Sequence, residues 1–308
     1  MNNQNEKKIL WYNLAFMAFS TVWGFGNVIN GFSEYGGLKA IVSWVILFAL
    51  YFIPYALMVG ELGSAFKNEG GGVSSWIHRT IGPGMAYMAG WTYWIVHMPY
   101  ISQKPNASVI AASWALFRDS RASQMNVRVM AVICLVLFLF AVWIASRGLG
   151  VLKKLTAIAG STMFIMSLLF ILMMIAAPAI TGANVLDIDW SLDTFMPTFD
   201  GKFFLNLSIL VFAVGGCEKI SPYVNKMKDP SKDFAKGMIA LATMVAVCAV
   251  LGTIALGMMF DSNTIPEDLM TNGAYYAFQT LGEYYHVGDL FVVIYAVVNL
   301  IGQFSVMV

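Results

Sequence analysis

An all-helical protein embedded in a membrane is the fold class this sequence predicts, and three observations carry the prediction. The chain is 59% hydrophobic and only 11% charged, where an ordinary soluble domain carries roughly 25% charged residues. Its apolar residues gather in runs long enough to cross a bilayer, for which about 20 helical residues suffice. Two of those runs are interrupted by glycine in mid-span, at Thr21-Val22-Trp23-Gly24-Phe25-Gly26-Asn27 and at Phe212-Ala213-Val214-Gly215-Gly216-Cys217-Glu218. Irregular backbone at membrane depth is tolerated only where protein buries it or where it lines a cavity. Paired interruptions are therefore a pointer to a transporter's substrate site.

The elements follow in order. Residues 1–8 are polar, and the uncharged run that follows, 9–33, has no small-residue cleavage site after a short apolar stretch, so it is expected to stay as span 1 and not to leave as a signal peptide. Span 1 covers 10–34 and splits near Trp23–Gly26. Span 2 runs over 38–60, with Pro54 expected to kink it. Residues 61–79 carry Gly70-Gly71-Gly72 and His78-Arg79, and span 3, 80–103, opens beside Gly82-Pro83-Gly84. The apolar piece 107–117 is too short to cross; it reads either as an interfacial helix or as a continuation of span 3. Spans 4 and 5 fall at 129–145 and 155–181, an Asp-rich loop at 184–202, span 6 at 203–222, span 7 at 237–260, and span 8 from 290 onward. The chain stops at Phe304-Ser305-Val306-Met307-Val308 without a basic or aromatic anchor, and is expected to be cut short.

Eight spans joined this way fix an orientation. With the N-terminus in the cytoplasm, twelve Lys and Arg fall on inside segments, among them Lys153, Lys154 and the run Asn225-Lys226-Met227-Lys228-Asp229-Pro230-Ser231-Lys232-Asp233. Six fall outside: Lys39, Lys104, Arg118, Arg121, Arg128 and Lys202. The cationic bias favours an N-terminus inside the cell. The Asp187, Asp189, Asp193, Asp200 and Asp261, Glu267, Asp268 clusters then face outward.

Several function classes drop out. A net charge of +1 with dispersed basic residues gives no reason to expect nucleic acid as a partner. Cys134, Cys217 and Cys248 lie in apolar runs without C-x-x-C spacing or neighbouring histidines, so neither a disulfide framework nor a metal is expected. No P-loop, nucleophile triad or dinucleotide fingerprint occurs, which removes ATP hydrolysis and any cofactor from the expectation. An integral membrane enzyme needs clustered polar catalytic groups, and the spans offer only Glu218 and His97 as ionisable candidates, so the chain is not read as an enzyme.

The interruptions fit a zwitterion. An α-amino acid presents a carboxylate and an ammonium a few ångströms apart. Free N–H groups of a half-helix starting after Gly26 suit the carboxylate, and carbonyls released around Val22 and Trp23 suit the ammonium. Glycine at Gly24 and Gly26 lets the ligand approach and tolerates positive φ, although glycines also serve close helix packing. At the second interruption, Gly215 and Gly216 are followed by Glu218, a costly carboxyl near mid-membrane. It is suited to hold a proton, orient the unwound backbone or meet substrate; the plainer alternative pairs it with Lys219 or Lys226. Phe212 stands on the wall of the same site or is packing. His97 tunes a pH response or is structural. Tyr295 and Asn299 share one helix face and either line the substrate path or join helices.

The chain resembles permeases of the amino acid–polyamine–organocation superfamily, and within it the bacterial glutamate/GABA antiporter branch. The resemblance rests on Val22-Trp23-Gly24-Phe25-Gly26-Asn27; on Gly60-Glu61-Leu62 with Glu69-Gly70-Gly71-Gly72 and Trp76; on Ile81-Gly82-Pro83 with Gly90-Trp91; and on residues 212–218 with Asn225 and Asp229-Pro230. It implies a LeuT-type bundle of two inverted five-helix repeats, here 1–183 and an incomplete 184–308, within a single domain. It implies carboxylate binding by the backbone of Gly24, Phe25 and Gly26, ammonium binding by that of Phe212, Ala213 and Gly215, and gating by Phe212. Such families have twelve spans, four more than here, which leaves a transport-incompetent fragment or an amino-acid sensor as the alternative to a permease of the plasma membrane. Some proton-coupled relatives carry a lysine in span 5 where this chain has Ser161, so exchange, proton and sodium coupling all stay open. The expected partners are an amino acid or amine and the lipid bilayer.

Overall fold

The computed structural model describes residues 9–69, 72–146 and 150–307, apart from the side chains of Ser20 and residues 150–161. Gly70, Gly71 and the side chain of Ser161 thus lie outside the described set. The described residues are almost wholly helical, with a single isolated bridge, Ile9 to Met227. Helices α1 (Trp11–Val22) and α2 (Phe25–Glu34) come from span 1. Span 2 becomes α3 (Ala40–Leu47) and α4 (Ile53–Ala65), joined by a π-helical turn at Phe48–Phe52. Pro54 sits just past that turn, where its missing N–H is absorbed by the wider winding.

Further along, α5 (Val73–Thr80) is followed by α6 (Pro83–Ser102), α7 (Lys104–Phe117), α8 (Val127–Ser146) and α9 (Gly150–Thr181). Pro83 occupies the first turn of α6, as expected of a residue whose φ is already helical and whose N–H would be orphaned there. A short α10 (Leu192–Phe195) precedes α11 (Gly201–Val214), whose first turn is capped by the Asp200 carboxylate accepting from the Phe203 N–H at 2.8 Å. The remaining helices are α12 (Pro230–Gly257), α13 (Leu269–Tyr284) and α14 (Leu290–Met307).

Six helical runs among the described residues are long and apolar enough to cross a membrane: Gly37–Ala65, Val127–Ser146, Thr162–Thr181, Gly201–Lys226, Pro230–Gly257 and Leu290–Met307. Two of the eight expected spans are absent from that set, for separate reasons. Span 1 is cut into helices of 12 and 10 residues. The α6 part of span 3 has its hydropathy lowered by Tyr93, His97, Pro99 and Tyr100.

Of the two readings of the 107–117 piece, continuation of span 3 is the one found: Gln103, between α6 and α7, has helical angles (φ −77°, ψ −20°), so the path continues from Pro83 to Phe117. Lys104 therefore lies inside a helical run and not in an outer loop. Residues 269–284, assigned no structure above, form α13, which buries Tyr275, Phe278 and Leu281.

Helix α12 is the spine against which both halves of span 1 rest. A Cβ placed on Gly237 would come within 3.0 Å of Leu14 Cδ2 and 3.2 Å of the Trp11 carbonyl, and one on Gly252 within 3.1 Å of Val28 Cγ1. These glycines set how closely α1 and α2 approach, as small residues do wherever membrane helices pack by van der Waals contact. Gly237→Val is expected to destabilise by about 1–3 kcal/mol, because the Trp11 backbone cannot give way. Gly201→Ala, where nothing lies within 4 Å, stays within about 0.5 kcal/mol. Thermal unfolding of the purified protein in detergent compares the two.

Candidate substrate-binding site

Both glycine interruptions are breaks in the helix. Trp23 (φ −119°, ψ 136°) and Gly24 (φ −136°, ψ 156°) are extended, and α2 begins at Phe25. The half-helix thus starts one residue before Gly26 and not after it. Gly24 has an ordinary negative φ, so the conformational reason offered for a glycine does not apply to it; the spatial reason does. A Cβ on Gly24 or Gly26 would meet nothing within 4 Å, which leaves open room beside the first turn of α2. No side chain caps that turn, and the leading N–H groups of a helix have no upstream carbonyl to donate to. The N–H of Asn27 turns back to the Gly24 carbonyl at 2.9 Å.

The second break lies between α11 and a 3-10 segment, Cys217–Lys226. Gly215 is extended, and Gly216 has φ +109°, a left-handed angle that only glycine adopts at low cost. The Gly215 N–H donates to the Phe212 carbonyl at 3.3 Å.

Asn27 joins the two breaks. Its Nδ2 donates to the Ala213 carbonyl at 2.9 Å and lies 3.4 Å from the Val22 carbonyl. One side chain on α2 thus answers carbonyls freed by both interruptions. Around this joint the halves pair off. On one side α2 meets α11, where Asn206 Nδ2 donates to the Glu34 carbonyl at 3.0 Å and Tyr35 Oη to the Phe203 carbonyl at 3.1 Å. On the other side, Ile9 at the entry to α1 exchanges backbone hydrogen bonds with Lys226 (3.0 Å) and Lys228 (3.1 Å).

Glu218 follows directly. Its two carboxylate oxygens accept from the hydroxyls of Tyr55 and Tyr93, the latter at 2.9 Å. Among the described residues it makes no salt bridge with Lys219 or Lys226; Lys226 Nζ instead lies 5.7 Å from the Tyr223 ring. A carboxylate held by two phenols bridges α4, α6 and the unwound segment, next to a cavity of about 310 Å³ lined in part by Gly72, Gly90, Tyr93, Glu218 and Lys219.

The other candidates divide. Phe212 is 59% exposed, its ring 6.1 Å from that of Tyr100 in an edge arrangement. His97 lies on the same face of α6, between Tyr93 (ring centroids 4.4 Å) and Tyr100 (6.2 Å), with Nδ1 2.7 Å from the Tyr93 carbonyl. Tyr295 and Asn299 lie on α14, with Tyr295 on the Phe25 side of the first break. Tyr295 is buried in an aromatic cluster, its ring 4.5 Å from Phe278 and 6.1 Å from Phe25. Asn299 Nδ2 donates to Tyr275 Oη at 2.8 Å. The sequence reading missed Asn27, Tyr55, Tyr93 and Tyr100 as site residues. The amide at Asn27 was visible in the motif, but nothing in the sequence says that α4 and α6 turn their tyrosines toward Glu218.

A bundle of apolar helices with two facing breaks defines a multi-pass membrane protein with two discontinuous helices. The sequence profile of the family described as "Amino acid permease" matches residues 9–308. The chain belongs to this family, part of the amino acid–polyamine–organocation superfamily. It is 49% identical over 304 residues to the aspartate/glutamate permease AcaP of Lactococcus lactis subsp. cremoris, an alignment covering 98% of this chain and 62% of that protein. It is 24% identical to the inner membrane transporter YjeM of Escherichia coli, over 87% of this chain and 54% of YjeM. It is 23% identical to the probable agmatine/putrescine antiporter AguD of Lactococcus lactis subsp. lactis, over 72% of this chain and 46% of AguD. The chain therefore spans about half to three-fifths of the length of these relatives.

Asn27→Ala strands two carbonyls at the joint. It is expected to cost about 1–3 kcal/mol, read as a lowered midpoint in thermal unfolding; Asn27→Asp, which replaces the donor amide by an acceptor, is expected to do no better.

Proposed function

We propose that this protein is a secondary active amino-acid transporter of the plasma membrane, an exchanger working by alternating access around the two breaks. The observation that carries the reading is the Asn27 bridge, which sets the uncapped first turn of α2 beside the freed backbone at Gly215 and Gly216. The α-carboxylate is held by the N–H groups of Phe25 and Gly26, at the positive end of α2. The α-ammonium is held by carbonyls of the Phe212–Gly215 stretch, with Phe212 closing over the ligand. The arrangement follows two inverted repeats, residues 1–183 and 184–308, and the N-terminus faces the cytoplasm. Removing Lys104 from the outer loops leaves five outside cations against twelve, which strengthens that orientation. The kinship with an aspartate/glutamate permease supports an acidic amino acid as cargo.

Glu218 links cargo to protons in this proposal. Its oxygens are engaged by Tyr55 and Tyr93, so taking up a proton redistributes two hydrogen bonds that tie α4 and α6 to the unwound segment. The test is uptake and counterflow in proteoliposomes. Labelled amino acid is expected to enter faster when the lumen holds unlabelled amino acid, and Glu218→Gln is expected to flatten the pH dependence of that uptake. Absence of amino-acid-dependent flux over a broad panel, with folded protein, overturns the transporter reading. An unchanged pH profile in Glu218→Gln removes Glu218 from the coupling.

A further inference from the structure

The face of α6 that carries Tyr93, His97 and Tyr100 continues into α7 at Lys104, the intervals of four, three and four residues keeping all four on one side of the helical run. Lys104 Nζ lies 4.0 Å from the centroid of the Tyr100 ring, and Lys219 Nζ lies 5.2 Å from the same centroid. The Phe212 ring, which belongs to the second break, meets that tyrosine edge-on at 6.1 Å. Two ammonium groups on different elements thus converge on one aromatic ring beside the proposed seat of the amino acid. Both lysines are half-buried.

Neither ammonium forms a salt bridge among the described residues. Glu218, adjacent in sequence to Lys219, has its oxygens turned to Tyr55 and Tyr93. His97 is the further titratable group on that face, and its Nδ1 is directed at a backbone carbonyl. A cation within a membrane-spanning region is costly unless it is paired, and a ring face offsets only part of that cost. Two such cations lacking a carboxylate make a local excess of positive charge, which an anionic group on the ligand neutralises.

We propose that Lys104, assisted by Lys219 across the Tyr100 ring, is the specificity-determining residue that takes the side-chain carboxylate of an acidic amino acid. This rests on the reading of the two breaks as the seat of the α-carboxylate and α-ammonium. The distal carboxylate then lies beyond Phe212, on the α6–α7 face. Neutral amides of the same length fill the same space but leave both ammonium groups unneutralised, so charge, not shape, sets the selection.

The test compares aspartate with asparagine, and glutamate with glutamine, as competitors of labelled aspartate uptake and as stabilisers in thermal unfolding. The unmodified protein is expected to prefer the acid by at least about thirtyfold, the low end of what a desolvated charge loses with its partner. Lys104→Gln is expected to bring the acid-to-amide ratio near one, Lys104→Arg to keep it, and Lys219→Gln to reduce it by a smaller factor. A Lys104→Gln protein that retains the full acid preference overturns the assignment. So does an unmodified protein that moves amino acids without favouring acids, and that result leaves the permease reading intact. An unmodified protein that moves no amino acid defeats the permease reading itself. Should Lys104→Gln fail to fold, Lys219→Gln decides, and an acid-to-amide ratio left there at the unmodified value overturns the paired site.

Discussion

Everything in this molecule answers to one constraint: peptide groups out of reach of water must find partners within the protein. Unbroken helices meet it automatically. At Trp23–Gly24 and at Gly215–Gly216 the chain gives up that automatic solution, and each break leaves donors on one side and acceptors on the other. The answer is local and shared. The Asn27 amide reaches carbonyls from both breaks, while Gly216 takes up a left-handed angle so that the 3-10 segment can begin. The carbonyls are thereby partly satisfied, and the first-turn N–H groups of α2 stay uncapped. A ligand carrying both an anion and a cation suits such an asymmetry better than a purely apolar one.

The surroundings of the breaks are sorted by polarity. Beneath α2, Phe25 lies in an aromatic cluster with Phe170, Phe278 and Tyr295, at ring separations of 4.7, 5.3 and 6.1 Å. This cluster anchors α2 to α9, α13 and α14. The opposite side carries the tyrosine–histidine–lysine face of α6 and α7, with Glu218 and Lys219 across from it. Packing and chemistry thus occupy different faces of the same discontinuous helices. That separation lets the breaks stay irregular without loosening the bundle, since the close approaches of α12 through Gly237 and Gly252 hold the regular parts of α1 and α2 in place.

Glu218 and the two lysines show how a membrane interior disposes of charge. The carboxylate is accommodated by phenols from α4 and α6, which donate hydrogen bonds without adding charge. The ammonium groups are accommodated by a ring face, which is a weaker partner. An electrostatic imbalance therefore remains beside the breaks, on the cationic side.

Much of this was legible in the residues alone. Composition set the class, because few charged residues spread over apolar runs have no stable arrangement except in lipid. Glycine pairs marked both breaks, and the position of Glu218 beside one of them marked the carboxyl. The matched family agrees with the class, and the structure shows both breaks. What the residues did not disclose were relations between distant elements. Lys104 looked like the start of a loop, since a polar residue after an apolar run ordinarily signals a span's end; only the helical angles at Gln103 carry the run onward and turn the lysine toward Tyr100. Nothing marked Tyr55 and Tyr93 as partners of Glu218, and α13 was not assigned, because its burial depends on α2 and α14 packing over it. Local patterns of apolarity and glycine are written along the chain and can be read there. Which side chains meet across it depends on how the helices are rotated about their axes, and that is decided when the whole bundle packs.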